Sequence, residues 1–499
     1  TGIGVTVSSS GNIDAIGIIT ATSYYGDGSN LSNITSTTIN TNADNRVITG
    51  SGTANTLNGE SNLTFDGSTL TVTGAASVSA DITVNSVTVG RGTNSVATNT
   101  VLGDSALDAA VTGTNNTAIG NVSATTLTSG NSNTAVGSQS LQLATTGDFN
   151  VAVGKDALRY FTTANNNTAI GADAMQGASG SSTGGNNTAV GRLAAFSLTS
   201  GTSNTALGQS ALEGCTDGTN NVAIGYETGT ADWADANVGV GYRALKVNTS
   251  SNNTAVGYQA MVANTTGTNN TAIGYAALDA NTDGHSNAAF GRSALSANTS
   301  GDYNTACGMY ALLSGTTADG NTAMGYAALV SSTTGYSNVA LGHNSCYAVT
   351  TGYQNTAVGK DTLVAGTTYQ RVTAVGFQAL YNNTANDVTA VGFQALLANT
   401  TGIENTAIGY AALDANTTGQ HNTAVGHQAL TANTTAQYNT AVGRNALASN
   451  VTGEYNTAVG MDALENNTGN QNTAVGVRAM EANTTGTNNV AVGGNALDA

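Results

Sequence analysis

From Asn99 to the end of the chain, apolar and small residues recur in one order: Asn-Thr-Ala-Val-Gly, a short gap, then Ala-Leu or Ala-Met. Asn253 to Met261 is a representative copy. The unit occurs 24 times, with closing glycines from Gly103 to Gly493; the interval is 17 residues, apart from several of 16 and one of 20 between Gly171 and Gly191. A period this constant predicts a solenoid in which each unit is one coil stacked on the last.

Taking the closing glycine as position 0, position −1 is always apolar or Cys: Val, Ile or Leu, with Phe290, Cys307 and Met324. Position −2 is Ala except at Val101 and Gly239, position −3 is Thr or Val except at Ala288, and position −4 is Asn except at Val372 and Val388. A short β-branched run closed by Gly predicts a strand. In a strand, −1 and −3 face one side and −2 and −4 the other. Ala at −2 implies a narrow interior, where a larger side chain overpacks. Large apolar residues at −1 imply a second buried surface, as in parallel sheets covered on both faces. One coil covers one side of its own strand. The other side is expected to meet further copies of the chain, with three-fold packing as the simplest closure. The alternative is a wide coil that turns −1 inward and sets −2 against a tight neighbour.

The Asn residues at −4 are expected to stack once per coil and to hydrogen-bond along the stack. Sequons such as Asn269-Asn-Thr271 then read as by-products of this ladder rather than as glycosylation acceptors. Gly at 0, and the frequent Gly at −7 (Gly113, Gly267, Gly402, Gly486), are expected at φ > 0. Position +3 is mostly Ala, and +4 is Leu or Met in 20 of 24 units. Ala, Leu, Gln and Met favour a turn of helix; the reading adopted is a second short strand or an irregular segment with Leu inside. The fold class is thus all-β: a parallel β-solenoid, or β-roll, of about 24 coils. At ~4.8 Å per coil its length is roughly 115 Å, and it is expected within a homotrimeric fibre.

Residues 1–98 lack the unit and are expected to form a β-rich stalk or connector ahead of the rod at 99–499. Gly2 to Ser10 and Ile16 to Thr22 mix β-branched residues with Gly, Ser and Ala, and Tyr25 to Asn30 is a turn cluster. Leu63 to Gly74 reads as a hairpin through Asp66-Gly67, and Val78, Ile82, Val84, Val87 and Val89 continue the alternation. So thin a segment has little core of its own and calls for a partner chain.

The 499 residues include 63 Gly, no Pro and only 8% charged residues. Absence of Pro suits a backbone whose N–H groups are nearly all needed in ladder bonds. The net charge of −17, without any Lys/Arg run, argues against nucleic acid or an anionic membrane surface as partner. No apolar stretch approaches the ~20 residues of a membrane span, so membrane insertion is not expected. Thr1 begins without a basic leader, so no signal peptide is expected in this stretch. Cys307 at −1 and Cys346 at +4 take apolar slots and are expected to be buried, whereas Cys215 lies at a variable loop position. Three distant cysteines imply neither a disulfide framework nor a metal site.

Gly17 to Leu31 and Phe65 to Gly74 resemble the stalk segments of fibre and structural proteins of marine tailed phages. The unit at Asn253 to Met261 is similar to repeats in the same fibres and to the head repeats of trimeric autotransporter (YadA-like) adhesins. The adhesin repeat is shorter, so strand placement does not carry over. The resemblance implies a virion tail fibre or host-attachment rod, extracellular and homotrimeric. Its implied partners are other virion or tail proteins at one end and a host cell-surface glycan or protein. A bacterial surface adhesin or extracellular filament is the second implication. An ice-binding solenoid is a third reading, from Thr pairs such as Thr265-Thr266 and Thr400-Thr401; these positions change to Ala, Ser, Asp and Glu too often for a lattice match.

Position +1 carries a possible surface-binding column: Tyr226, Tyr242, Tyr258, Tyr275, Tyr326, Phe377, Phe393 and Tyr410, interspersed with Arg292, His343, Lys360, His427 and Arg444. Such rings either stack on sugars or cover neighbouring coils and chain interfaces. Trp233 lies in an irregular loop, Ala231 to Asp235, that either protrudes or packs. His285, His343, His421 and His427 show no metal spacing. The carboxylates do not recur as a glycosidase pair, and no Ser/His/Asp set stands out. No catalytic residue, metal or cofactor is therefore expected.

Overall fold

The computed structural model describes residues 5–7, 13–15, 46–50, 57–65, 68–72, 80–178 and 182–498. The chain forms two compact units that divide between Ser79 and Ala80. In the first, β1 (Val5–Val7) pairs antiparallel with β2 (Ile13–Ala15). There too, β3 (Arg46–Gly50), β4 (Leu57–Phe65) and β5 (Leu70–Val72) form an antiparallel sheet. The hairpin read from the sequence is present, with Leu63 opposite Val72 and Phe65 opposite Leu70. Its Asp66-Gly67 connection, Ile16 to Thr22, the Tyr25–Asn30 cluster and Val78 lie outside the described residues.

The second unit opens with an antiparallel hairpin, β6 (Ile82–Val84) and β7 (Val87–Gly90), which turns through Asn85 and Ser86 at φ 48° and 68°. β7 pairs antiparallel with β8 (Thr100–Gly103), so the hairpin is the first layer of the ladder. The Asp81 carboxylate accepts the backbone N–H groups of Arg91 and Gly92, both at 2.8 Å, and fixes the return of the chain. From β8 onward every pairing is parallel, through three-residue strands that end with Val490–Val492 and make about 23 turns. The register never slips: Thr254, Ala255 and Val256 face Thr271, Ala272 and Ile273, and the interval of 20 residues still sets Thr168 on Thr188.

Ala at −2 points inward and is fully buried from Ala118 to Ala474, beside the buried Asn at −4. The interior is therefore narrow, and the wide coil with −1 turned inward does not occur. Residues at −1 and −3 form the outer face of the sheet, half-buried at Val256 and Thr254 and exposed at Phe290, Met324 and Leu341. Cys307 belongs to this outer column and is exposed, contrary to its expected burial. An apolar type at −1 marks the outer face of the strand and does not by itself mean enclosure within one chain.

The arc after the glycine is irregular; neither a helix nor a second strand forms there among the described residues. Leu or Met at +4 points into the core and adopts the left-handed region, at φ 49° for Met261 and 53° for Leu278. That conformation costs roughly 1–2 kcal/mol per residue, which burial of the side chain, about 1.5–3 kcal/mol, offsets. Coil-to-coil bonds hold it there: Met261 N–H donates to Ala277 O at 3.0 Å, and Ala263 N–H to Asp279 O at 3.1 Å. These bonds override the helix preference of Ala and Leu.

The closing glycines behave as expected. Gly257 has φ 141°, and a Cβ there would collide with the carbonyl of Gly274. The glycines at −7 do not: Gly113, Gly267, Gly402 and Gly486 lack positive φ. At the first three the constraint is space, since a Cβ would meet the carbonyl of the next coil.

The ladder at −4 is present. Asn270 Oδ1 accepts the backbone N–H of Asn287 at 2.9 Å, and its Nδ2 donates to the carbonyl of Gly284 at 2.8 Å. A second buried ladder, absent from the sequence reading, runs at +7. There Asn281 Nδ2 donates to Asn264 Oδ1 at 2.7 Å, and Asn298 Nδ2 to Asn281 Oδ1 at 2.8 Å. Nearer the N-terminus the same slot holds Leu127, Phe161, Leu198 and Cys215, all buried. The sequon Asn269 is not part of either ladder. It is an exposed corner residue at φ 59°, so the ladder does not account for it.

Candidate binding surface

Positions +1, +2 and +5 share one side of the arc, and the solenoid brings the +1 rings into register. Tyr226, Tyr242, Tyr258 and Tyr275 form one continuous stack, with centroids 5.5, 5.1 and 5.1 Å apart and planes within 9°. Phe377, Phe393 and Tyr410 form another, 5.4 and 5.2 Å apart, which extends to His427 at 4.9 Å. Tyr326 stands apart from both runs, stacked on His343 at 5.1 Å and meeting Tyr310 at 70°. Within each run the ring faces cover one another, so the column presents edges and hydroxyls to solvent. A second column lies at −5 and −6: Tyr336 stacks on Tyr353, and His421 on Tyr438, which stacks in turn on Tyr455. Its signal was the recurrence of Tyr438 and Tyr455 at the repeat interval.

Charge is unevenly placed. Nine of the ten Lys and Arg residues from Asn99 onward occupy +1, +2 or +5, Arg371 being the exception. Most are paired: Glu227 Oε2 accepts from Arg243 Nε at 2.8 Å and from Lys246 Nζ at 2.7 Å. The Lys246 ammonium, then the Tyr226 hydroxyl, draw the Glu227 carboxyl down to about 2. Arg243 also lies over the Tyr242 ring, 4.9 Å from its centroid.

Trp233 does not protrude. It is fully buried, and its Nε1 donates to the Leu245 carbonyl at 2.9 Å. Tyr369 is likewise buried and donates from its hydroxyl to Leu363 O at 2.8 Å. Burial pushes the thiols of Cys215 and Cys346 up to about 12, which keeps them protonated and unreactive. Among the described residues no group of three or more His, Cys, Asp or Glu is placed to hold a metal ion, and no helix is long and apolar enough to cross a membrane. No family model, curated protein or solved structure matches the chain.

Proposed function

We propose that this protein is a non-enzymatic structural fibre, the rod of a phage tail fibre or host-attachment device, assembled as a homotrimer. The observation that carries the reading is the outer face of the strand ladder. Val, Ile, Leu, Phe or Met at −1 form an in-register apolar strip along the solenoid, flanked by the β-branched Thr or Val at −3 and exposed on the single chain at Leu207, Met324 and Leu341 among others. Strips of this kind on soluble chains mark association surfaces. Two further copies of the same strip, related by a three-fold axis, cover it with identical chemistry at every rung. The phage context comes from the resemblance of Gly17–Leu31 and Phe65–Gly74 to phage stalk segments. The likeness of the repeat to adhesin heads keeps a bacterial surface adhesin or filament as the second reading.

Light scattering on the native protein tests the assembly. Three times the chain mass of 49.4 kDa is the expected result. A monomer at micromolar concentration overturns the trimeric fibre and leaves the strip as a solvent-facing surface. Thermal hysteresis measured on that monomer then decides the ice-binding alternative.

A further inference from the structure

Between Gly291 and Gly359 the +1/+2/+5 side differs from the two ring stacks that flank it, Tyr226–Tyr275 and Phe377–His427. The face-to-face ring stack is interrupted by Arg292 and Met309, and a groove opens instead, enclosing about 360 Å³. Its floor is Leu313, Ala327 and Val330, and its walls are Tyr310, Tyr326, His343 and Tyr347. The twelve +1, +2 and +5 positions of these four coils include no carboxylate, in a chain with 29 Asp and Glu against 12 Lys and Arg. The acids of the same coils, Asp302 and Asp319, sit at −6.

At one end of the groove lies Arg292. Its guanidinium is 5.6 Å from the Tyr275 centroid and 6.0 Å from that of Tyr310. Among the described residues it has no carboxylate within ion-pair distance, unlike Arg243 or Arg371. The flanking acids on this side are already engaged. Asp279 accepts from Ser296 Oγ at 2.6 Å, and Asp361 accepts from Asn344 Nδ2 at 3.1 Å and pairs with Lys360 at 3.3 Å.

We infer that this groove is a binding subsite for an acidic saccharide, a short stretch of uronate-bearing or sulfated glycan lying along the solenoid axis. Aromatic walls with hydroxyl groups suit the mixed apolar and polar faces of a sugar ring. One cation free of carboxylate partners, fixed between two rings, suits a single carboxylate or sulfate through charge-assisted hydrogen bonds. The site does not suit a polyphosphate or nucleic acid, which needs several cations and is repelled by a net charge of −17. From Arg292 to His343 is three coils, about 14 Å at ~4.8 Å each, the span of a trisaccharide. None of the lining residues belongs to the outer strand face, so the subsite stands whether or not the chain trimerises.

The test is calorimetric titration of the full chain with trigalacturonate and with neutral galactotriose as probes. The expected result is saturable binding of trigalacturonate, about tenfold tighter than of the neutral sugar. Arg292→Gln reduces the uronate to the neutral level, Tyr326→Ala weakens both, and Phe149→Ala, at an exposed ring outside the groove and the ring stacks, changes neither. The proposal is overturned if trigalacturonate shows no saturable binding, if both probes bind alike, if Arg292→Gln binds as the native protein does, or if Phe149→Ala loses as much as Tyr326→Ala. Circular dichroism and the Trp233 emission establish that each variant keeps the fold.

Discussion

The Trp233 indole occupies the space that Gly229 leaves open. Gly229 holds the +4 slot that Leu or Met fills in most coils, and a Cβ there would lie 2.6 Å from Trp233 Cε2. Gly239 takes the −2 slot of Ala for the same reason, its Cβ falling 2.7 Å from Trp233 Cη2. Three departures from the repeat are therefore one packing solution. Trp233→Ala is expected to cost about 3–5 kcal/mol. Adding Gly229→Leu recovers part of that, because Gly229 already has φ 68°, close to the 57° of Leu212 in the coil before it. Thermal unfolding of the single, double and Gly239→Ala triple variants checks this. If Gly229→Leu stabilises in the presence of Trp233, the indole is not the occupant.

Asn287→Ala removes one rung of the −4 ladder. It strips the Asn304 backbone N–H of its acceptor, a contact of 2.9 Å, and takes from the Gly301 carbonyl one of its two amide donors, leaving Asn298 Nδ2 at 3.1 Å. The buried N–H left unpaired costs about 1–3 kcal/mol. In a structure built on nearest-neighbour contacts the damage stays local. Hydrogen exchange is expected to lose protection in the strands at Thr271–Ile273 and Thr305–Cys307, while that at Thr134–Val136 keeps it.

The three thiols report on assembly. Cys215 and Cys346 are buried and protonated up to about pH 12, so an aromatic disulfide reagent at pH 8 leaves them untouched in the folded chain. Cys307 is exposed on the strand face of a lone chain. In the assembled fibre it is expected to be protected as well, and to react when the fibre is dissociated. Prompt modification of one thiol per chain in the native assembly contradicts burial of that face.

Glu227 gives a pH signature. Its folded carboxyl titrates near 2, against 4.5 for the free group, because Lys246, Tyr226 and Arg243 bond to the charged form. A depressed carboxyl contributes stability fully above about pH 4.5 and loses it as the pH falls through about 2. The native protein is expected to lose part of its thermal stability in that window, and Glu227→Gln to show less loss there. High salt diminishes the difference, since the group is at the surface.

The repeat made much of this readable. Ala255 at −2 declared a narrow core because no larger residue recurs there, and Asn270 at −4 declared a ladder because only an amide both donates and accepts along a stack. The left-handed Met261 was not readable, because residue propensity describes an isolated chain, whereas bonds from the neighbouring coil decide the arc. The +7 ladder was hidden by its own irregularity: Cys215, Asn264 and Gly315 share that slot. For Cys307, periodicity places the residue on the correct face of the strand, but an apolar slot does not say whether that face is enclosed, and on the single chain it is exposed. The aromatic column was visible as spacing; that its ring faces are spent on one another required the 5.1 Å separations.

The uniform parallel register also governs how the rod bears load. Each strand lies across the axis and is bonded to the next by a few short contacts, as at Thr254–Val256 on Thr271–Ile273. Tension along the axis therefore acts on one rung at a time. A rung that opens turns ~4.8 Å of rod into about 55–60 Å of extended chain, given 17 residues per coil. Pulled from its ends, such a rod yields stepwise and reels out length, so a sudden jerk is absorbed by sacrificial coils while the remaining stack stays intact.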